Sequence, residues 1–151
     1  MEFNEILKMN LDPFFFSSQE FMVIAGKNGK FLKINPALIE ASGYSESELT
    51  SVSFLEFIHA DDLPMARVEA EKAMSGETIP SFEARFLCKN GKSLWVCWNC
   101  ITLNGMLYAS GRDISAYKRT MSDLIDSENR MRMILSNSPM ALSIRSDIVF
   151  L

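Results

Sequence analysis

Three Asn-Gly dipeptides, Asn28-Gly29, Asn90-Gly91 and Asn104-Gly105, each stand between two apolar, strand-like runs. The pair supplies the two positive φ angles of a type I′ turn, whose backbone twist matches that of paired antiparallel strands. A hairpin is therefore predicted at each. Residues 20–26 and 30–35 make the first, while 81–89, 93–103 and 106–114 make a three-stranded meander, so that five antiparallel strands are expected.

Between these groups the punctuation changes from turn dipeptides to helix caps. Asn35 reads as an N-cap with Pro36 at the first helical position, Gly43 ends that short helix, and Ser45 with Glu48 forms a capping box. A longer helix starts near Asp61 and Asp62, whose negative charges favour a helix N-terminus. It runs through Leu63, Ala66, Ala70, Ala73 and Met74 to Gly76. A sheet with helices inserted after its second strand is an α+β arrangement that buries one sheet face and leaves room for a cavity between layers. The other face needs a cover. An amphipathic cap helix over residues 1–10, with Phe3, Ile6, Leu7 and Met9, is one candidate and a second subunit is the other.

Residues 115–137 read as a polar connector helix with a seam at Tyr117, Met121, Leu124, Glu128, Met131 and Leu135, spaced alternately by four and three. That spacing predicts a coiled coil and a homodimer; a surface helix packed on its own domain is the alternative. Residues 138–151 end in the apolar run Ile148-Val149-Phe150-Leu151 and loosely repeat the entry to the first strand around Ser17 to Ala25. They read as the start of a second, truncated domain, with the main domain over 11–114 and the chain a fragment of a longer protein.

Composition narrows the function classes. Of 151 residues 48% are hydrophobic and 23% charged, which suits one globular domain with a true core. Eleven Phe, ten Met and two Trp supply bulk both for that core and for the walls of a small internal site. A net charge of -4 with no clustered basic surface argues against nucleic acid as the main partner. No apolar run is long enough for a membrane span and the N-terminus lacks a secretory pattern, so a cytoplasmic location is expected. Three Cys fit reduced thiols better than a disulfide framework. Cys97 and Cys100 lie three apart in a predicted strand and so point to opposite faces, which denies them a shared metal or a redox pairing. With one His and no glycine-rich nucleotide loop, no catalytic constellation is visible, and the chain is not expected to be an enzyme by itself.

Six pieces in order carry a family resemblance: Asn35-Pro36-Ala37; Ser42-Gly43-Tyr44-Ser45 with Glu48-Leu49; Phe57-Ile58-His59-Ala60-Asp61-Asp62; Phe82-Glu83-Ala84-Arg85-Phe86; Asn90-Gly91-Lys92-Ser93-Leu94-Trp95-Val96; and Gly111-Arg112-Asp113-Ile114-Ser115. Over about residues 11 to 118 the chain resembles the PAS family. The resemblance implies a five-stranded antiparallel sheet in the order 2-1-5-4-3 with helices packed on one face. It also implies a sensing or dimerising role upstream of a histidine kinase, cyclase or transcriptional output. Asp113, Ile114 and Ser115 match the family's Asp-Ile-Thr ending, with Ser for Thr. Asp113 or Ser115 can cap the connector there, so that a change in sheet geometry moves the helix; a cap and no more is the plainer reading.

The family's flavin-binding light sensors use a reactive Cys where this chain has Ser53, in Val52-Ser53-Phe54-Leu55. Their flavin-facing amides fall on Phe86, Val96 and Gly111, whose side chains cannot hydrogen-bond the ring. Haem-binding members use a His in the long middle helix, whereas His59 precedes that helix in a His-x-Asp-Asp element. No cofactor is therefore expected. Strand alternation with the family layout points Val96, Trp98 and Cys100 inward and Trp95, Cys97 and Asn99 outward, with Arg85 and Ser110 outward or flanking. Leu38, Phe54, Leu55, Phe82, Phe86, Val96, Trp98 and Leu107 are the pocket candidates, either enclosing a small apolar ligand or filling the space themselves. Two functions follow: a sensory module, with a sensor histidine kinase as the preferred parent, relaying ligand or partner binding to the connector and the downstream output domain; or a ligand-free dimerisation module of a kinase, diguanylate cyclase or transcription regulator.

Overall fold

The computed structural model describes residues 13–137, so the expected cap helix and the expected second domain lie outside the described residues. The strands are β1 (Phe21–Ala25), β2 (Phe31–Ile34), β3 (Ile79–Leu87), β4 (Ser93–Leu103) and β5 (Met106–Asp113). Between β2 and β3 lie α1 (Pro36–Ser42), α2 (Glu46–Thr50), a 3-10 turn (Phe54–Phe57) and α3 (Leu63–Met74); α4 (Ser115–Asn137) follows β5. The strands form one antiparallel sheet in the order β2-β1-β5-β4-β3, as the sequence implied. Contacts divide the chain into two units after Ser115.

The hairpins do not all use the expected turn. At Asn104-Gly105 both φ angles are positive, 52° and 75°, as type I′ requires. At Asn28-Gly29 and Asn90-Gly91 only the glycine is left-handed, at 76° and 83°. In those two, Asn Oδ1 accepts a hydrogen bond from the backbone N–H two residues on, Lys30 at 3.1 Å and Lys92 at 2.9 Å. That local bond keeps the Asn at negative φ and widens the loop, whose ends close through Gly26 N–H to Lys30 O and Cys88 N–H to Lys92 O.

Two residues read as helix caps serve the tertiary structure instead. Asn35 stands at the N-cap position of α1 without a side-chain cap bond, and its side chain is wholly buried. Oδ1 accepts from Met22 N–H at 3.0 Å, while Nδ2 donates to Glu20 O at 2.8 Å and Phe15 O at 3.2 Å. Those bonds tie the start of β1 to the end of β2. Asp62 likewise makes no side-chain cap to α3. Its Oδ2 accepts from Arg85 N–H at 2.8 Å and Arg85 Nε at 2.9 Å, and its Oδ1 accepts from Nη2 at 3.0 Å. A bidentate guanidinium offers more than the partial charge of a helix end, so the carboxylate turns to β3. The capping box at α2 forms as read, with Ser45 Oγ accepting from Glu48 N–H and Glu48 accepting from Ser45 N–H.

The inner sheet face and the helices enclose one main core. Phe57 lies near-parallel to Phe31 on one side and to Phe86 on the other, with centroids 6.4 and 5.4 Å away, and Tyr44 packs on it at 5.1 Å. This aromatic column links β2, the 3-10 turn and β3. A smaller cluster of Ile58, Ala66 and Ala84, with Leu55 and Leu63 against it, seats the first turns of α3.

Replacing Asn35 by Ala removes three hydrogen bonds to part-buried backbone groups of Phe15, Glu20 and Met22, and is expected to cost about 1–3 kcal/mol in urea unfolding. The Arg85 guanidinium holds the Asp62 carboxyl below its ordinary range. Its folded pKa is depressed, so its contribution to stability is present above the unfolded value and lost as pH falls through the folded one. Asp62→Asn is therefore expected to be less stable than the parent at pH 7, with the difference narrowing below about pH 4; parallel stability curves down to acid pH would remove this role.

Candidate functional site

Helix α3 faces the sheet with Ala66, Ala70 and Ala73, spaced four and three, so its inner surface is mostly methyl groups, with Glu69 beside them. Its N-terminal end is held by the Asp62–Arg85 pair and its C-terminal end by Thr102 Oγ, which donates to Ala73 O at 2.6 Å. Small side chains on a helix fixed at both ends leave the space between helix and sheet incompletely filled. A cavity of about 70 Å³ results. That is several times the ~10–15 Å³ needed for one water and about half of the ~150 Å³ engineered cavity that admits benzene.

Val23, Ala25, Leu107, Ala109, Trp98 and Cys100 on β1, β5 and β4 line the cavity from the sheet, joined by Phe31 on β2, by Ile79, Phe82 and Phe86 on β3, and by Phe54 and Ile58 at the 3-10 turn. Phe54, Phe82, Phe86, Trp98 and Leu107 are thus brought together around the cavity. Leu38, Leu55 and Val96 are not. Leu38, on α1, is fully buried in the main core, Leu55 packs against the small cluster, and Val96 is fully buried in the main core beside Gly111. Sequence reasoning grouped the eight candidates as one set that either encloses a ligand or fills the space, whereas in the structure five of them surround the cavity and three lie in packed core. It missed the three alanines and Glu69 of α3; their spacing is legible in the sequence, but alanine is also ordinary helix filler.

Gly111 shapes the sheet wall. A Cβ there would come within 2.7 Å of the Trp98 ring and 2.8 Å of Val96 Cγ1. Only the missing side chain lets the indole lie across β5. Cys100 faces the cavity and Cys97 the other side of the sheet, where its Sγ lies 3.3 Å from Ser81 Oγ. Burial, reinforced by the Glu69 carboxylate, pushes the Cys100 thiol up to about 11, so it stays protonated. Among the described residues no group of His, Cys, Asp and Glu is arranged to hold a metal. His59 does not line the cavity; its Nδ1 accepts from Asp61 N–H at 3.1 Å and its backbone N–H donates to Arg85 O at 3.0 Å. Arg85 lies on the outer face over the Trp95 ring, 4.9 Å from its centroid.

The end of β5 is stitched to the strand that lines the cavity. Ser115 N–H donates to Asp113 Oδ1 at 2.9 Å, a cap at the start of α4. Ser115 Oγ accepts from Trp95 N–H at 3.0 Å, and Ile114 N–H donates to Trp95 O at 2.8 Å, with the Ile114 side chain buried. Trp95 and Trp98 are three residues apart on β4. In the second unit, α4 contains no buried residue, and its seam positions Tyr117, Met121, Leu124, Glu128, Met131 and Leu135 all lie on one continuous helix.

Comparison with known proteins follows this geometry. Residues 31–108, just over half the chain, match the family model described as the PAS fold. The chain is similar to a domain of the sensory box sensor histidine kinase/response regulator from Geobacter sulfurreducens, with a TM-score of 0.66, 22% identity, and coverage of 74% of this chain and 98% of that one. It is similar too to the PAS domain of an HTR-like protein from Haloarcula marismortui, with a TM-score of 0.62, 23% identity, and coverage of 74% and 94%. Over 75 residues it is 35% identical to the probable diguanylate cyclase DgcE of Escherichia coli, which is 49% of this chain and only 7% of that protein's length. The sheet order and the family match together establish that this chain belongs to the PAS family.

Proposed function

We propose that this PAS domain is the sensory module of a larger signal-transduction protein, in which a small apolar ligand in the cavity alters the strand that holds the start of α4. The observation that carries this reading is shared backbone: β4 supplies Trp98 and Cys100 to the cavity and Trp95 to Ser115 and Ile114. A ligand that shifts Trp98 acts on the same strand whose N–H and C=O hold the helix start, and such a junction has few ways to respond except by moving the helix. The relatives named above, a sensor kinase and a probable cyclase, support an output domain of one of those kinds on the same chain. In this role the module itself performs no catalysis.

Xenon, a small neutral occupant of dry apolar cavities, tests the reading. NMR titration of the parent is expected to shift amides of β4 and of Ile114 and Ser115. Ala70→Leu, which fills the cavity from α3, is expected to weaken xenon binding about tenfold or more while leaving the fold intact. Binding confined to other residues, or undiminished in the filled variant, would remove the cavity from the function.

A second reading, dimerisation through α4, is favoured by the exposure of its apolar positions: Leu124 is 51% exposed and Met131 57%. Such a seam is covered by a second copy in a parallel coiled coil, with Glu128 reducing its strength at one layer. Leu124→Asp is expected to convert a dimer to a monomer in light scattering without lowering the melting temperature of the PAS domain. An unchanged mass would reject the seam.

A further inference from the structure

The strongest unexplained group in the cavity is Glu69. Among the described residues every other lining residue is Ala, Val, Ile, Leu, Phe, Trp or Cys, and Glu69 alone carries a charge. Its side chain is 22% exposed, with Oε1 at 3.3 Å from Lys72 Nζ, one turn along on the solvent side. Lys72 is 48% exposed, so this i,i+3 contact is a surface pair that solvent and salt weaken. A carboxylate can only accept and carries negative charge, so beside an otherwise apolar wall it favours a cationic donor and disfavours an anion.

We propose that the cavity selects compact ligands with an apolar body and a protonated amine, the ammonium group binding the Glu69 carboxylate at the cavity wall. The inference rests on the cavity being a ligand site, as proposed above. An ammonium makes charge-assisted hydrogen bonds, stronger than those of an alcohol of the same size. Among the described residues no cationic side chain lines the cavity to compensate a ligand carboxylate, and the Cys100 thiol, kept protonated, adds no second negative charge. The volume of about 70 Å³ restricts the body to a few heavy atoms unless Trp98 or Phe82 moves.

The test uses the full chain with three probes in NMR titration at neutral pH: xenon, n-propylamine and propionate, the last two matched in size. Propylamine is expected to bind at least about tenfold more tightly than propionate. Glu69→Gln is expected to abolish that preference and leave xenon binding unchanged, which also reports that the variant is folded. Lys72→Met, which removes the competing ammonium on the solvent side, is expected to strengthen propylamine binding, and so provides a second readout if Glu69→Gln does not fold. Xenon binding with no preference for the amine, or a preference that survives Glu69→Gln, overturns the amine assignment while the cavity reading stands. Failure of all three probes to bind overturns both.

Discussion

Asp62 leaves the start of α3 uncapped to reach Arg85 on β3, and the position of that helix over the sheet depends on this contact. The carboxylate engages both the backbone and the guanidinium of one residue, which fixes the helix end in register with the strand as well as in distance. The neighbouring chain is drawn in as well: His59 N–H donates to Arg85 O, and Ile58 bridges to Phe86. With Thr102 holding Ala73 at the other end, α3 can neither settle onto the sheet nor swing away. Its alanines then span a gap that larger side chains would have filled.

Other parts of the interior are held by side chains packed in contact. Phe57 between Phe31 and Phe86 makes a rigid column at one end of the sheet, and Asn35 supplies a fully bonded polar anchor beside β1 and β2. A buried amide with each of its bonds made specifies one alignment of the segments it joins, because any slip leaves polar groups unpaired in a low-dielectric interior. The cavity lies between α3 and the inner face of the sheet. There the Trp98 ring depends on Gly111, and the strand carrying that ring also holds Ile114 and Ser115.

Much of this was legible in the residues. The Asn-Gly dipeptides located the strand pairs, and the Ser45–Glu48 box and Gly43 marked helix ends, because turn and cap chemistry acts over three or four residues and needs no tertiary partner. Alternation along β4 placed Trp98 and Cys100 on one face and Cys97 on the other for the same reason. Of the pocket candidates, the aromatic ones and Leu107 surround the cavity, while Leu38, Leu55 and Val96 belong to filled core. Inward direction is a local property, but whether an inward side chain meets a void depends on what stands opposite.

The sequence by itself therefore determined the order of strands and helices, the sites of the hairpins, the inward face of the fourth strand and the family. Only the tertiary structure decided which turn type two hairpins adopt, that Asn35 and Asp62 bond across the fold rather than cap their helices, where the cavity lies, and that Glu69 stands in its wall. The division has one physical cause. Periodicity and capping are set by neighbours in the chain, whereas a polar side chain goes to whichever partner offers the stronger bonds, and for Asp62 that partner lies 23 residues away in sequence.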